Sequence, residues 1–299
     1  MSPSHFAPRH WPLWLLVGVA WLVAYLPLRA QFAVGRVLGT LLRVFARRRR
    51  HITETNVRLC FPDLDDTRRT ALVRNVFRSV GIGAVETSIA WFRDPARYRD
   101  RVSVEGLEHL QAAARRGNGV LLVGAHFTTL DFAGALLSLV ADIDVVYRRN
   151  RNPVVEWLMR RGRERIYGAV IERSDMRTLL RRLDAGRVVW YAADQDYGRK
   201  VSVFAPFFGV TAATISVTSR LARRNGAPVL FFSHFRDELT QRWSIRVSAA
   251  LDDYPSDDDV ADATRLNAII EREIRRDPAQ YLWLHRRFKT RPPGEARPY

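Results

Sequence analysis

The residues best suited to chemistry in this sequence are a histidine and an aspartate separated by four residues, His126 and Asp131. A neutral imidazole beside a carboxylate can act as a general base, because the carboxylate holds one tautomer and stabilises the cation that forms. On a regular helix the two side chains would point about 140° apart, since one turn contains about 3.6 residues. The pair can therefore meet only if His126 lies in a loop and Asp131 in the first helical turn.

The elements around this pair occur in the required order. Residues 120–125 form an apolar run that predicts a buried strand, and the spacing of apolar residues over 130–141 predicts a helix. Thr128 or Thr129 could cap that helix. The strand therefore leads to His126, and the helix carries Asp131 near its start.

Strands and helices alternate through the rest of the chain. The predicted strands are 102–104, 120–125, 144–147, 169–171, 188–192, 229–235 and 243–251, and the predicted helices are 106–116, 130–141, 153–167, 176–184, 214–224 and 258–276, with 202–208 irregular. This alternation predicts an α/β sandwich with a largely parallel central sheet. Sites in such sheets lie beyond the carboxyl ends of strands, where both His126 and the acidic pair Asp194 and Asp196 fall.

Several charged residues near this edge have two possible interpretations. Asp194 and Asp196 either bind a substrate or form a tight turn with backbone capping. The cations Arg148, Arg161 and Arg163 either bind phosphate or carboxylate groups or belong to an ordinary solvated face.

Composition limits the partners without choosing among them. The formal net charge is +17, which fits nucleic acid, an anionic membrane or an acidic protein. Cys60 is the only cysteine, which excludes an internal disulfide and a cysteine-rich zinc site. Phosphate-binding, dinucleotide-binding and zinc motifs are missing from the sequence, so we expect neither a metal nor a cofactor.

The N-terminal region has the composition of a membrane-associated segment. Residues 11–28 carry no charge and would reach about 27 Å as a helix, just short of an apolar bilayer core of about 30 Å. Arginines follow closely, which favours an uncleaved anchor, spanning or shallow, over a signal peptide or a buried helix. Residues 31–50 predict a basic amphipathic helix, either on anionic headgroups or an ordinary surface helix. We divide the chain into an anchor (1–30), a helical membrane-proximal region (31–95) and an α/β domain (96–299).

Taken together, the motifs resemble the lipid A biosynthesis acyltransferases, the late lauroyl and myristoyl transferases of Gram-negative bacteria. The matching segments include Gly-Ala-His-Phe-Thr-Thr-Leu-Asp (124–131), Asp-Gln-Asp-Tyr-Gly (194–198) and Gln-Tyr-Leu-Trp-Leu-His-Arg-Arg-Phe-Lys-Thr-Arg (280–291), with shorter matches at 5–12, 47–51, 60–62, 147–148, 152–153, 161–163, 189–191, 202–204 and 206–209. Ala193 departs from the family pattern, which has proline there.

The resemblance implies a glycerolipid-acyltransferase-like fold and transfer of a fatty acyl chain, lauroyl as first choice. The donor would be acyl carrier protein, and the acceptor a hydroxyl on an acyl chain of Kdo2-lipid IV(A), at the cytoplasmic face of the inner membrane. His126 would then deprotonate the hydroxyl, Asp131 would orient the imidazole, and Arg163 would bind a phosphate or the oxyanion. Nucleic acid is not an expected partner.

Two other functions remain open on the residues alone. A lysophospholipid or glycerol-phosphate acyltransferase would share the base and the fold but take a smaller acceptor. A non-enzymatic protein that binds anionic membranes or nucleic acid would use the arginines without needing His126.

Overall fold

The computed structural model describes residues 3–299, so residues 1 and 2 of the predicted anchor lie outside the described residues. The N-terminal third is helical. After short 3-10 turns come α1 (Trp11–Ala24), α2 (Leu28–Phe45), α3 (Arg47–Cys60) and α4 (Asp66–Phe92). The predicted single helix over 31–50 is divided between α2 and α3, because Ala46 leaves the helical conformation at ψ 59°.

The structure does not support the spanning form of the predicted anchor. The uncharged run is split at Pro27, so α1 has only 14 residues and a length of about 21 Å. Within residues 3–299, no helix is both long enough and apolar enough to cross a bilayer.

Helix α4 packs closely against the N-terminal helices. A Cβ atom on Gly81 would lie 2.1 Å from the carbonyl oxygen of Gly35, so α2 and α4 can cross at this distance only because both residues lack a side chain. Farther along α4, Trp91 packs against Gly162 in the same way, with a Cβ there only 2.8 Å from the indole ring. This contact places the C-terminal end of the later helix that carries Gly162 against α4.

From residue 102 the chain forms a seven-stranded sheet, as the alternating pattern predicts. Its strands are β1 (Val102–Glu105), β2 (Val120–Gly124), β3 (Ile143–Tyr147), β4 (Val170–Glu172), β5 (Val188–Ala192), β8 (Val229–Asp237) and β9 (Arg242–Val247). The order is β1-β9-β8-β2-β5-β3-β4, and only the β8–β9 pair is antiparallel. The prediction of an α/β fold with a largely parallel sheet is confirmed.

Helices cover both faces of this sheet. They are α5 (Leu107–Ala114), α6 (Leu130–Leu137), α7 (Pro153–Glu164), α8 (Met176–Asp184), α9 (Val217–Asn225) and α10 (Asp259–Arg276). Alternate residues of β2 enter opposite cores: Leu121 and Val123 pack on one face, Leu122 on the other.

The segment predicted to be irregular is instead part of an antiparallel hairpin, β6 (Ser202–Phe207) and β7 (Val210–Ile215). Its turn uses Phe208 and Gly209, both at positive φ. This hairpin forms a separate two-stranded sheet outside the main one.

Candidate active site

The carboxyl ends of two neighbouring strands bring His126 together with Asp194. In the parallel pairing of β2 with β5, Gly124 lies opposite Ala192. His126 and Asp194 each follow two residues later and therefore leave the sheet at the same level. The Nδ1 atom of His126 lies 2.7 Å from Oδ1 of Asp194.

Asp194 is held from several directions. Its Oδ2 atom accepts hydrogen bonds from the backbone N–H of His126 at 3.1 Å and from the hydroxyl of Tyr281 at 2.8 Å. The Asp194 side chain is fully buried, whereas that of His126 remains 22% exposed. An Nδ1–H that donates to Asp194 leaves the Nε2 lone pair as the basic atom of His126.

The contact shifts the pKa of His126 upward and the pKa of Asp194 downward. Burial by itself would lower the pKa of His126, but the Asp194 carboxylate and its hydrogen bond outweigh burial, and the net shift is upward. Burial would raise the pKa of Asp194, but the charge and hydrogen bonds of His126 lower it well below its ordinary range. Asp194 therefore stays ionised and stabilises the imidazolium.

The sequence-based assignment of Asp131 as the partner of the imidazole is not what the structure shows. Asp131 lies in the first turn of α6, where its Oδ1 accepts from Nε of Arg163 at 2.9 Å and from Nη2 at 2.7 Å. Arg163 reaches it because α7 ends beside α6, held by the contact of Gly162 with Trp91. Both charges still affect the pKa of His126: Arg163 lowers it and Asp131 raises it.

Asp196 binds the C-terminal segment of the chain. Its carboxylate accepts from the backbone N–H of Thr290 at 2.6 Å, from the Thr290 hydroxyl at 2.9 Å and from the N–H of Gly198. Only the Gly198 contact matches the predicted turn with backbone capping, and a role of Asp196 in substrate binding stays a prediction.

The other two predicted arginines lie on the surface. Arg148 is exposed directly after β3. Arg161 is exposed on α7 and lies over the ring of Trp157, 5.4 Å from its centroid. Neither makes an ion pair within residues 3–299, so their role in binding a substrate stays a prediction.

Sequence reasoning missed the role of the C-terminal segment in the site. Leu282 N–H donates to the carbonyl of His126, and Thr128 N–H donates to that of Gln280, so residues 280–282 run beside the His126 loop. This places Tyr281 on Asp194. In the sequence this segment stands out only through the family resemblance, and neither spacing nor pattern indicates a hydroxyl at this position.

A buried ion pair between Arg236 and Glu86 is linked by hydrogen bonds to the loop that carries His126. Arg236 donates to Glu86 at 2.8 Å and to the hydroxyl of Ser79, which in turn bonds Thr128 at 2.7 Å. Trp243 donates to the second oxygen of Glu86. The expected threonine cap of α6 is missing, because the Thr129 hydroxyl bonds the His234 ring instead.

Two further histidines lie near the site, but they are not suited to be the base. Burial lowers the pKa of His234 to about 3 and that of His285 to about 4. Burial also raises the pKa of Cys60, a fully enclosed thiol that cannot serve as a nucleophile. Within residues 3–299, no cluster of three or more His, Cys, Asp or Glu side chains could hold a metal ion.

The fold and the site define an α/β protein with a partly exposed histidine held by a buried carboxylate at the carboxyl edge of its sheet. Comparison with known proteins specifies the class further. A family described as bacterial lipid A biosynthesis acyltransferase matches residues 1–290, and the chain belongs to that family. It is therefore an acyltransferase of lipid A biosynthesis.

Its similarity to individual members extends over the whole chain. It is 41% identical over 299 residues to the lipid A biosynthesis palmitoleoyltransferase of Escherichia coli K12, covering 100% of this chain and 97% of that protein. It is 39% identical over 294 residues to the lauroyltransferase of the same strain, covering 98% and 96%. Identity to the myristoyltransferase of that strain is 28%, covering 98% and 91%.

Proposed function

We propose that this protein transfers a fatty acyl chain from acyl carrier protein to a hydroxyl on an acyl chain of Kdo2-lipid IV(A). The observation that carries the proposal is the 2.7 Å contact between a partly exposed His126 and a buried, ionised Asp194. Lauroyl is our first choice of chain. Palmitoleoyl is the second, since a relative at 41% identity is a palmitoleoyltransferase and one at 39% is a lauroyltransferase.

In this mechanism His126 accepts and returns one proton. Its Nε2 atom takes the proton of the acceptor hydroxyl as the oxygen attacks the thioester carbonyl. The tetrahedral intermediate collapses by breaking the C–S bond, and the imidazolium gives the proton to the departing thiolate. Asp194 stabilises the imidazolium throughout, and the products are an ester and the free thiol of the carrier.

Arg163 is the candidate for stabilising negative charge at the site. Its Nε and Nη2 atoms are bound to Asp131, while Nη1 makes no hydrogen bond within the described residues. Its guanidinium lies close enough to His126 to lower the pKa of that histidine. We assign Nη1 to the developing oxyanion or to a phosphate of the acceptor.

We place this reaction at the cytoplasmic face of the inner membrane. Apolar side chains of the N-terminal helices are exposed to solvent, among them Trp11 at 65%, Leu15 at 71% and Phe45 at 77%. Exposed apolar surface of this kind is typical of a protein or membrane contact. We propose the N-terminal unit, residues 1–30, together with the helical region 31–95, as the part that rests on the leaflet, and residues 96–299 as the acyltransferase domain.

The test is acyl transfer by the purified full-length protein. Lauroyl, myristoyl and palmitoleoyl carrier proteins would be offered with Kdo2-lipid IV(A), and with lysophosphatidate or glycerol 3-phosphate in parallel. We expect transfer to Kdo2-lipid IV(A) that is lost in His126→Ala. Transfer only to the glycerolipid acceptors would replace the proposed substrate, and full activity in His126→Ala would refute the mechanism.

A further inference from the structure

A cavity of about 590 Å³ lies between the loop after β5 and the last residues of the chain; we call it the C-terminal cavity. Its lining contains five cationic side chains and one carboxylate, that of Glu295. The cations are Arg199, Arg286, Lys289, Arg291 and Arg297.

Two of these cations are already compensated. Arg291 pairs with Glu295, and the Nζ atom of Lys289 lies 3.7 Å from the Asp196 carboxylate. The remaining three make no ion pair within residues 3–299, and the Nε atom of Arg286 is buried without a hydrogen-bond partner. The uncompensated cations are Arg199, Arg286 and Arg297.

This arrangement favours an anion. Like charges gathered around one cavity repel one another. A phosphate would relieve this repulsion, since guanidinium groups bind its oxygens two at a time. The volume lies within the range of small-molecule sites, about 300–1,000 Å³, so it can hold a phosphate together with part of the molecule that carries it.

The cavity is also connected to the candidate active site. Arg199 follows Asp194 by five residues in one loop, and Asp196 ties that loop to Thr290 in the opposite wall. The same C-terminal segment carries Tyr281, whose hydroxyl bonds Asp194. A ligand in the cavity would therefore contact both segments that hold the catalytic carboxylate.

We propose that the C-terminal cavity binds a phosphate group of a substrate, with Arg199 and Arg286 as its principal ligands. This inference rests on the proposed function, in which a phosphorylated sugar acceptor and the phosphodiester of the carrier's prosthetic group both present this chemistry.

The test uses full-length Arg199→Gln/Arg286→Gln, with Arg177→Gln as the matched control. Arg177 is an exposed arginine of α8 without an ion pair in the described residues, and it lies outside the cavity. Two readouts are compared: the rise of the unfolding temperature with inorganic phosphate, and the KM for donor and acceptor measured separately. If the double variant does not fold, Arg286→Lys, which keeps the charge, is measured in its place.

We expect phosphate to stabilise the wild type and the control but not the double variant, and to stabilise Arg286→Lys less than the wild type. We also expect the double variant to raise one KM by about tenfold or more. A higher KM for the acceptor would assign the site to the sugar phosphate, and a higher KM for the donor to the carrier.

Unchanged KM values would overturn the proposal even if the phosphate response were lost. An absence of acyl transfer in the wild type would instead refute the proposed function, and the phosphate response would then decide the cavity alone.

Discussion

The Nδ1 atom of His126 lies 2.7 Å from Oδ1 of Asp194, a residue 68 positions farther along the chain. The contact joins the ends of two adjacent parallel strands, paired at Gly124 and Ala192. The register of the sheet thus brings the imidazole to its carboxylate partner, in place of the loop-to-helix contact expected from the sequence.

Asp194→Asn should reduce acyl transfer by about 10²- to 10⁴-fold, the usual contribution of general-base catalysis. The amide cannot stabilise the imidazolium, although it keeps the size of the side chain. The kcat of purified protein with saturating substrates is the measurement. Asp196→Asn, whose contacts are with Thr290 and Gly198, is the matched control and should lose much less. Equal losses would contradict the assignment of Asp194.

The pH dependence of kcat/KM should show the raised pKa of His126. The base must be neutral, so the rate should fall as the pH drops through a pKa above the ordinary value of about 6.5. In Asp194→Asn the main interaction that raises this pKa is removed, and the acidic limb should move to lower pH. A limb that stays in place would show that another group titrates.

Tyr281→Phe should change the pH profile as well as the rate. Its hydroxyl withdraws negative charge from Asp194, so its loss strengthens the pull of the carboxylate on the imidazolium and raises the pKa of His126. The acidic limb should then move to higher pH. Tyr191→Phe is the matched control, because this buried tyrosine donates to Thr218 at 2.6 Å and does not touch Asp194. A shift in both variants would indicate a purely structural effect.

Asp131→Asn and Arg163→Gln should move the acidic limb in opposite directions. Asp131 raises the pKa of His126 and Arg163 lowers it, so Asp131→Asn should shift the limb to lower pH and Arg163→Gln to higher pH.

The side chains of Asp131 and Arg163 are largely buried, at 15% and 12% exposed. Thermal unfolding should show a double variant that loses less stability than the sum of the single ones, because they share one ion pair. Additive losses would show that the pair does not couple.

Glu86→Gln should destabilise the fold by about 3–5 kcal/mol, since it leaves the buried Arg236 cation without its counter-charge. Chemical or thermal unfolding measures this loss. The control is Glu105→Gln, which breaks the exposed pair with Arg246 and should cost about 1 kcal/mol or less. A small effect at Glu86 would mean that water or another group compensates Arg236.

Much of the scaffold follows from local patterns in the sequence. The apolar run 120–125 predicts β2, which ends one residue earlier at Gly124, and the run 188–192 predicts β5 at its observed bounds. These strands can be predicted from the sequence because a parallel sheet buried on both faces requires continuous runs of apolar residues. The first strand of the hairpin cannot be predicted in this way, because Pro206 interrupts its apolar run and a proline within a run argues against a strand.

The sequence by itself determined that His126 stands at the end of a buried strand and that carboxylates lie near it in the chain. Only the tertiary structure decided which carboxylate it meets. Strand register aligns Asp194 with His126. The packing of α7 against α4 places Arg163 beside Asp131. The C-terminal segment brings the Tyr281 hydroxyl to Asp194. These contacts join residues 32 to 87 positions apart, whereas local spacing reports only on neighbours within a few turns of one element.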